Sequence, residues 1–229
     1  MQITSRDNLP LGGFAGLREH RIVTDSRLFG SRKLTKTSEG LGHFVYLADA
    51  QFKPKGETGM RPHKEIDVIS VMIDGQVSHA GSLEHGKSLK AGDVQVQRAG
   101  GEGFAHNEIN PDDIKNRMIQ LWVLPEKAGQ LAAYKYYTPK TAGVTRIYGG
   151  RNTKSETFES GTTIDIVRLK ATDSMTFTKA SLTYITSGEA VVVEGKASTA
   201  VTNGDLIRSN DIEIKAETDL NLIVIGQLS

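Results

Sequence analysis

The sequence predicts an all-β chain made of two similar domains. Three observations carry that expectation. Short segments rich in Val, Ile and Thr recur, glycine punctuates them, and the order of segments and turns in the first half returns in the second. The 229 residues suffice for one large core or two small ones.

In chain order the strand segments are EIDVISVMIDGQV from Glu65, LKAGDVQVQRAG from Leu89, NRMIQLWVLP from Asn116, TTIDIVRLKA from Thr162, LTYITSGEAVVVEG from Leu182 and LNLIVIGQL from Leu220. Their β-branched runs of about five to eight residues suit strands of a sandwich or barrel. Helical periodicity is scarce. A helical turn is expected at Asn110–Pro111, with Asp112 and Asp113 behind it, and after Pro125.

The repeat is visible in two pairs of segments. VMIDGQV is followed by AGDVQV, with Gly75 leading to Gly92 and Asp93; YITSGEAVVV is followed by NGDLIR, with Gly188 leading to Gly204 and Asp205. The glycine spacings are 17 and 16 residues, and the copies are offset by about 113. Strand, glycine turn, strand and Gly-Asp turn, repeated, indicate a duplicated β-domain. The polar stretch TPKTAG, Thr138 to Gly143, is the expected connection, dividing the chain into 1–137 and 138–229.

Composition excludes several classes. With 28 basic and 27 acidic side chains, and no long run of either sign, bulk charge does not suggest a direct nucleic-acid or membrane-surface role. There is no cysteine, so a metal must be held by nitrogen and oxygen donors. The N-terminal stretch has no apolar block to serve as a signal, and nowhere do 18 apolar residues run together; the expected address is the cytoplasm.

All six histidines, His20, His43, His63, His79, His85 and His106, lie in the first half. His20, His43 and His85 read as surface or structural residues. His106 is followed two places on by Glu108, and on a strand such a pair points to one face. Arg61 and His63 are related in the same way. Two strands, each offering such a pair, can surround an ion. Two imidazoles and a carboxylate are the ligand set of non-haem iron(II) oxygenases, and zinc, manganese, nickel or copper accept the same donors. Trp122, the one tryptophan, reads as core packing. The glycines of AGGEG, 99 to 103, read as a tight turn feeding the His106 strand, since no helix with a lysine follows to make a phosphate loop.

At these residues the sequence resembles the pirin family of the cupin superfamily. The resemblance rests on RPHKEID from Arg61, DGQVSH from Asp74, AGDVQ from Ala91 and AGGEGFAHNE from Ala99, and continues into QLWVLP from Gln120. The second half is more loosely similar to that family's metal-free second barrel. The resemblance implies two cupin-type β-barrels packed in one chain, a bicupin with few short helices. It also implies one divalent metal, iron(II) foremost, in the N-terminal barrel. Carried over, His63 matches the second histidine of a His-Pro-His motif, and His106 and Glu108 match the other ligands. Arg61 stands where the first histidine should be.

A guanidinium stays protonated and has no lone pair for a metal. Pointed inward about 4 Å from a divalent ion, it would meet a repulsion of roughly 8 kcal/mol at an effective dielectric of 20. Two arrangements escape this: Arg61 turns its head to solvent, or it pairs with Glu108 in the metal's place. His79 matches a histidine position of the family and is expected in the pocket or packed near it.

Some pirin-like proteins are dioxygenases that open the heterocycle of flavonols such as quercetin. The resemblance therefore implies a metal-dependent attack on a small aromatic compound, with Glu108 itself or Asp67 taking a proton. Two other expectations stand beside it. One is a regulatory protein with a protein partner; the other is a metal-free cupin in which Arg61 and the histidines recognise an anionic molecule.

Overall fold

A computed structural model describes residues 1–82, 88–151 and 156–228, so His85 lies outside the described residues. The chain divides into two compact units, Leu9–Thr138 and Met1–Asn8 together with Pro139–Ser229. It opens with β1 (Gln2–Ser5). The first unit then carries β2 (Leu11–Phe14), β3 (Leu17–Thr24), the one-turn helix α1 (Ser26–Phe29), β4 (Phe44–Phe52), β5 (Arg61–His63), β6 (Asp67–Asp74), β7 (Gln76–Gly81), β8 (Ser88–Lys90), β9 (Val94–Arg98), β10 (Phe104–Ile109), β11 (Arg117–Val123) and β12 (Ala133–Tyr137). The second carries β13 (Gly143–Gly150), β14 (Ser160–Leu169), β15 (Ser174–Phe177), β16 (Ser181–Ser187), β17 (Glu189–Glu194), β18 (Ala197–Thr202), β19 (Asp205–Ser209), β20 (Ile212–Ala216) and β21 (Leu220–Gln227).

The fold is all-β, as expected, and each unit is a pair of sheets rather than a closed barrel. In the first unit a seven-stranded sheet runs β12-β9-β6-β11-β4-β3-β2 and a four-stranded sheet runs β5-β10-β7-β8. In the second the orders are β1-β19-β16-β21-β14-β13 and β15-β20-β17-β18. The division expected at residue 137 needs one correction. Strand β1 pairs antiparallel with β19 from Gln2↔Arg208 to Ser5↔Asp205, so the first residues belong to the second unit. They occupy the sheet edge that β12 fills in the first, satisfying backbone groups that an open edge leaves unpaired.

The repeat glycines do what their spacing implied. Gly75 and Gly188 turn between β6 and β7 and between β16 and β17 with φ of 71° and 93°. Both are crowded: a Cβ would meet the Asn116 side chain at the first and the Asp219 carbonyl at the second. The helical turns expected at 110–113 and after Pro125 do not form. Asn110 instead accepts from the Asp112 amide at 3.1 Å and donates to the carbonyls of Lys53 and Ile114, fixing a bend. The helix that does form is capped by Asp25, whose carboxylate accepts from the Arg27 amide. Among the described residues no helix is long and apolar enough to cross a membrane.

Strand β9 shows how the first unit lines its interior. Its sequence VQVQR buries both faces, with Val94 and Val96 on one and Gln95 and Gln97 on the other, all at 0% exposure. A buried glutamine pair needs partners, and these lie between the sheets.

Candidate metal centre in the first unit

The site is set by pairing between β10 and its two neighbours. Against β5 the register is Phe104↔His63 and His106↔Arg61; against β7 it is His106↔Gly81 and Glu108↔His79. Residues opposite one another on paired strands share a face, so His63, His79, His106 and Glu108 all point between the sheets. His79, His106 and Glu108 are buried and His63 is half-buried.

The histidines touch. The ring of His106 stands edge-on to His63 at a centroid distance of 5.0 Å and to His79 at 5.1 Å. His106 Nδ1 lies 3.0 Å from Gln97 Oε1 and 3.0 Å from His79 Nε2, and Gln97 Nε2 lies 3.1 Å from His79 Nε2. With the Gln97 amide so oriented, the network assigns the tautomers. Nδ1–H of His106 donates to the glutamine oxygen and to His79 Nε2, which also accepts from the glutamine nitrogen. That leaves the lone pair of His106 on Nε2, the atom a metal or a substrate hydroxyl would use.

Glu108 is a fully buried carboxylate. It accepts from Ser70 Oγ at 2.9 Å and Gln95 Nε2 at 3.4 Å on one oxygen, and from Gln120 Nε2 at 3.2 Å on the other. Among the described residues no Lys or Arg pairs with it. Burial pushes its pKa up, opposed by the Ser70 hydrogen bond, the electrostatic interaction with His79 and the Gln120 hydrogen bond. The imidazoles move the other way. Burial, then His106, then Arg61 hold His63 down to about 4, and burial, then His79, hold His106 down to about 3. Both rings are therefore neutral at pH 7, the form that ligates.

Aromatic rings wall the site. Phe104 lies 5.2 Å from His63 and 5.1 Å from His106. Trp122 stands edge-on to His63 at 5.9 Å and stacks on Tyr46 at 4.3 Å. Tyr46 in turn donates to Glu19, which holds Arg21. The core role expected of Trp122 is thus half the account, because it packs against Ile66, Val68, Ala99 and Phe104 while also facing His63. Its buried indole N–H has no acceptor among the described residues.

Arg61 takes the outward arrangement. Its guanidinium carbon sits 4.3 Å above the ring of Phe14 and the residue is exposed, so it does not occupy the metal's place against Glu108. Asp67 does not serve as a base here. It is three residues from Ser70 on β6, hence on the opposite face, where it meets Arg98 at 3.5 Å. His20 and His43 hydrogen-bond the main-chain carbonyls of Leu9 and Leu124, which accounts for both.

Sequence reasoning missed Ser70, Gln95, Gln97 and Gln120. Their signal was available: a glutamine pair at i and i+2 inside a strand is the pattern that drew attention to His106 and Glu108. The donor chemistry fits a divalent cation, with two neutral imidazoles beside a buried carboxylate that pairs with no Lys or Arg among the described residues. The geometry is looser, since among the described residues no three His, Cys, Asp or Glu side chains gather as a metal-binding group.

Known proteins resemble this chain in sequence over its first half and in fold over nearly its whole length. The model of the family described as Pirin matches residues 25–123. A quercetin 2,3-dioxygenase from Escherichia coli K12 is 31% identical over 78 residues, 34% of this chain and 33% of that protein. A pirin-like protein from Caulobacter vibrioides is 32% identical over 81 residues, 35% of this chain and 34% of that one. The chain thus spans about a third of the length of the curated relatives it matches. In fold, it is similar to a bacterial pirin from Escherichia coli solved in complex with nickel(II), with a TM-score of 0.83, 16% identity and coverage of 98% of this chain and 97% of that chain.

Proposed function

We propose that this chain, which belongs to the pirin family, holds one divalent cation, iron(II) foremost, through His63, His106 and Glu108 and oxidises a small aromatic compound of the quercetin type. One observation carries the reading: Glu108 is buried, accepts from the neutral groups of Ser70, Gln95 and Gln120, and pairs with no Lys or Arg among the described residues, so its negative charge calls for a proton or a cation. Quercetin 2,3-dioxygenases among its relatives supply the substrate class.

Lewis-acid polarisation of a substrate hydroxyl or enolate is the chemistry such a cation supplies. The protein's own residues prepare for it. Gln97 fixes the tautomer that presents His106 Nε2. Ser70, Gln95 and Gln120 hold the carboxylate of Glu108, whose raised pKa suits it to take the substrate's phenolic proton. Phe104 and Trp122 offer apolar surface to an aromatic ring, and the indole N–H can donate to an oxygen on it.

The deciding experiment is metal analysis of untagged protein purified without chelator, joined to oxygen uptake with quercetin. We expect near-stoichiometric metal that disappears in His106→Ala, together with oxygen consumption that disappears with it. Protein that carries no metal and takes up none would exclude oxygenase chemistry. A second reading, in which the hollow is a metal-free site for an anionic aromatic molecule or serves a regulatory partner, is favoured by the lack of a gathered three-residue group and by Arg61 at position 61. The same measurement separates the two.

A further inference from the structure

The second unit keeps the place of this site while carrying none of its donors. Ser70 stands five residues before Gly75 and Thr183 five before Gly188; His79 and Val192 stand four after those glycines. Strand pairing extends the correspondence. Gln120 lies opposite Ser70 and Val224 opposite Thr183; Glu108 lies opposite His79 and Ile214 opposite Val192. His106 faces Arg61 as Ile212 faces Phe177, so Lys179, two residues on, takes the place of His63.

Beside that place, and sharing Lys179 with it, is a cavity of about 480 Å³ lined among the described residues by Arg146, Arg151, Lys179, Thr163, Gln227 and Leu228. Three of the six are cationic and none is acidic, and the volume suits a small-molecule site. Arg146 is held by Asp165 at 2.8 and 2.9 Å, which fixes its head.

A second observation points inward from the rim. The hydroxyls of Ser181, Thr183 and Ser209 are buried, with residue exposures of 5%, 0% and 5%, and none has a hydrogen-bond partner among the described residues. Thr183, Val224 and Asp165 form one row across β16, β21 and β14. Alternation then places Ser181 and Thr163 on the same face, and Ser209 lies opposite Ser181. That face is the inner one, since Val224 and Ile207 on it belong to the core between the sheets. Buried hydroxyls without partners are uncommon, and a ligand supplies partners.

We propose that the second unit is a separate binding site for a small organic molecule bearing one carboxylate or phosphate group. The anionic group sits at Arg151 and Lys179 beside the fixed Arg146, and the body of the molecule enters toward Thr163 and the three unpartnered hydroxyls. This goes beyond the metal reading and does not depend on it.

The test is an NMR titration of the full chain with benzoate, phenyl phosphate, inorganic phosphate and benzyl alcohol, before and after treatment with EDTA. We expect saturable shifts at amides around Thr163, Ser181 and Lys179 with benzoate or phenyl phosphate, unaffected by EDTA, and none with benzyl alcohol. The double variant Arg151→Gln, Lys179→Gln should weaken that binding at least about 10-fold, the effect of losing a charge-assisted hydrogen bond. Four results overturn the proposal: no saturation below about 10 mM, which is weaker than the millimolar end of specific binding; shifts confined to Leu9–Thr138; binding unchanged in the double variant; or inorganic phosphate binding as tightly as the organic probes, an adventitious ion only.

Discussion

Laid strand against strand, the two units have the same sheets and opposite interiors. The sheet order β9-β6-β11-β4-β3 in the first corresponds to β19-β16-β21-β14-β13 in the second, and β5-β10-β7-β8 to β15-β20-β17-β18. Between those sheets the first unit places His79, His106, Glu108 and Gln120, where the second places Val192, Ile212, Ile214 and Val224. The backbone ladders are satisfied either way, so the fold tolerates both linings, and chemistry is decided by a handful of inward positions. A buried polar cluster in one copy and an apolar one in the other is what a duplicated scaffold permits once one copy alone carries a polar site.

The largest effect expected from testing this comparison comes from exchanging the key position. Ile214→Glu puts a carboxylate at a position with 0% exposure, between Met175 and Val192, with none of the donors that surround Glu108. It should cost about 4 kcal/mol in urea unfolding, the penalty of an unpaired buried charge. The reverse change, Glu108→Ile, should remove metal uptake while leaving the apo protein folded, because Ser70, Gln95 and Gln120 can hydrogen-bond among themselves. A cost below about 1 kcal/mol for Ile214→Glu would mean that the second interior is wet and the contrast false.

Acid sharpens the contrast next. In chelator-treated protein the folded state holds His63 down to about 4 and His106 down to about 3, while an unfolded histidine titrates near 6.5. Between those values the unfolded chain carries protons that the folded chain refuses. Stability is therefore complete above about pH 6.5, declines as pH falls toward about 3, and levels off once the folded rings protonate too. Hydrogen exchange at pH 5 against pH 7.5 should show protection lost in Leu9–Thr138 and kept in the second unit, which has no histidine. Equal loss in both, or none, would contradict the buried neutral imidazoles.

How much of this was legible in the sequence follows from the same comparison. The glycine turns, and the same-face pairs Arg61 with His63 and His106 with Glu108, are local signals; the first pointed to the duplication and the second to the ligand-bearing strands. Strand β4 was not legible, because FVYLADAQF is buried on both faces but for Gln51 and shows no alternation. Helix α1 is a single turn whose only local signal is the Asp25 cap. That β1 would cross to the second unit is a long-range pairing, Gln2 with Arg208, which no window of sequence reports. The direction taken by Arg61 was equally hidden. It depends on Phe14, which lies 47 residues away along the chain.

Position 61 offers a smaller and more specific test. Its backbone lies opposite His106, so a histidine there would point into the hollow. Arg61→His should bind nickel(II) or iron(II) at least about 10-fold more tightly by calorimetry, gaining a ligand and losing a charge. Unchanged affinity would mean that position 61 does not face the site.

The smallest effect concerns what keeps Arg61 out. The guanidinium rests on the face of Phe14 at 4.3 Å, a contact worth about 0.5 to 1 kcal/mol at an exposed site. Phe14→Leu removes the ring face and keeps an apolar side chain, so unfolding should lose about that amount and little more. The informative readout is metal affinity. A guanidinium released from Phe14 spends part of its time nearer to His63, where its charge opposes a cation, and affinity should fall about two- to three-fold, more at low salt than at high. In the background of Arg61→His the same Phe14→Leu change should leave affinity alone, since no guanidinium remains to be released. A fall of equal size in both backgrounds would assign the effect to packing beneath Phe14 and not to the charge it holds aside.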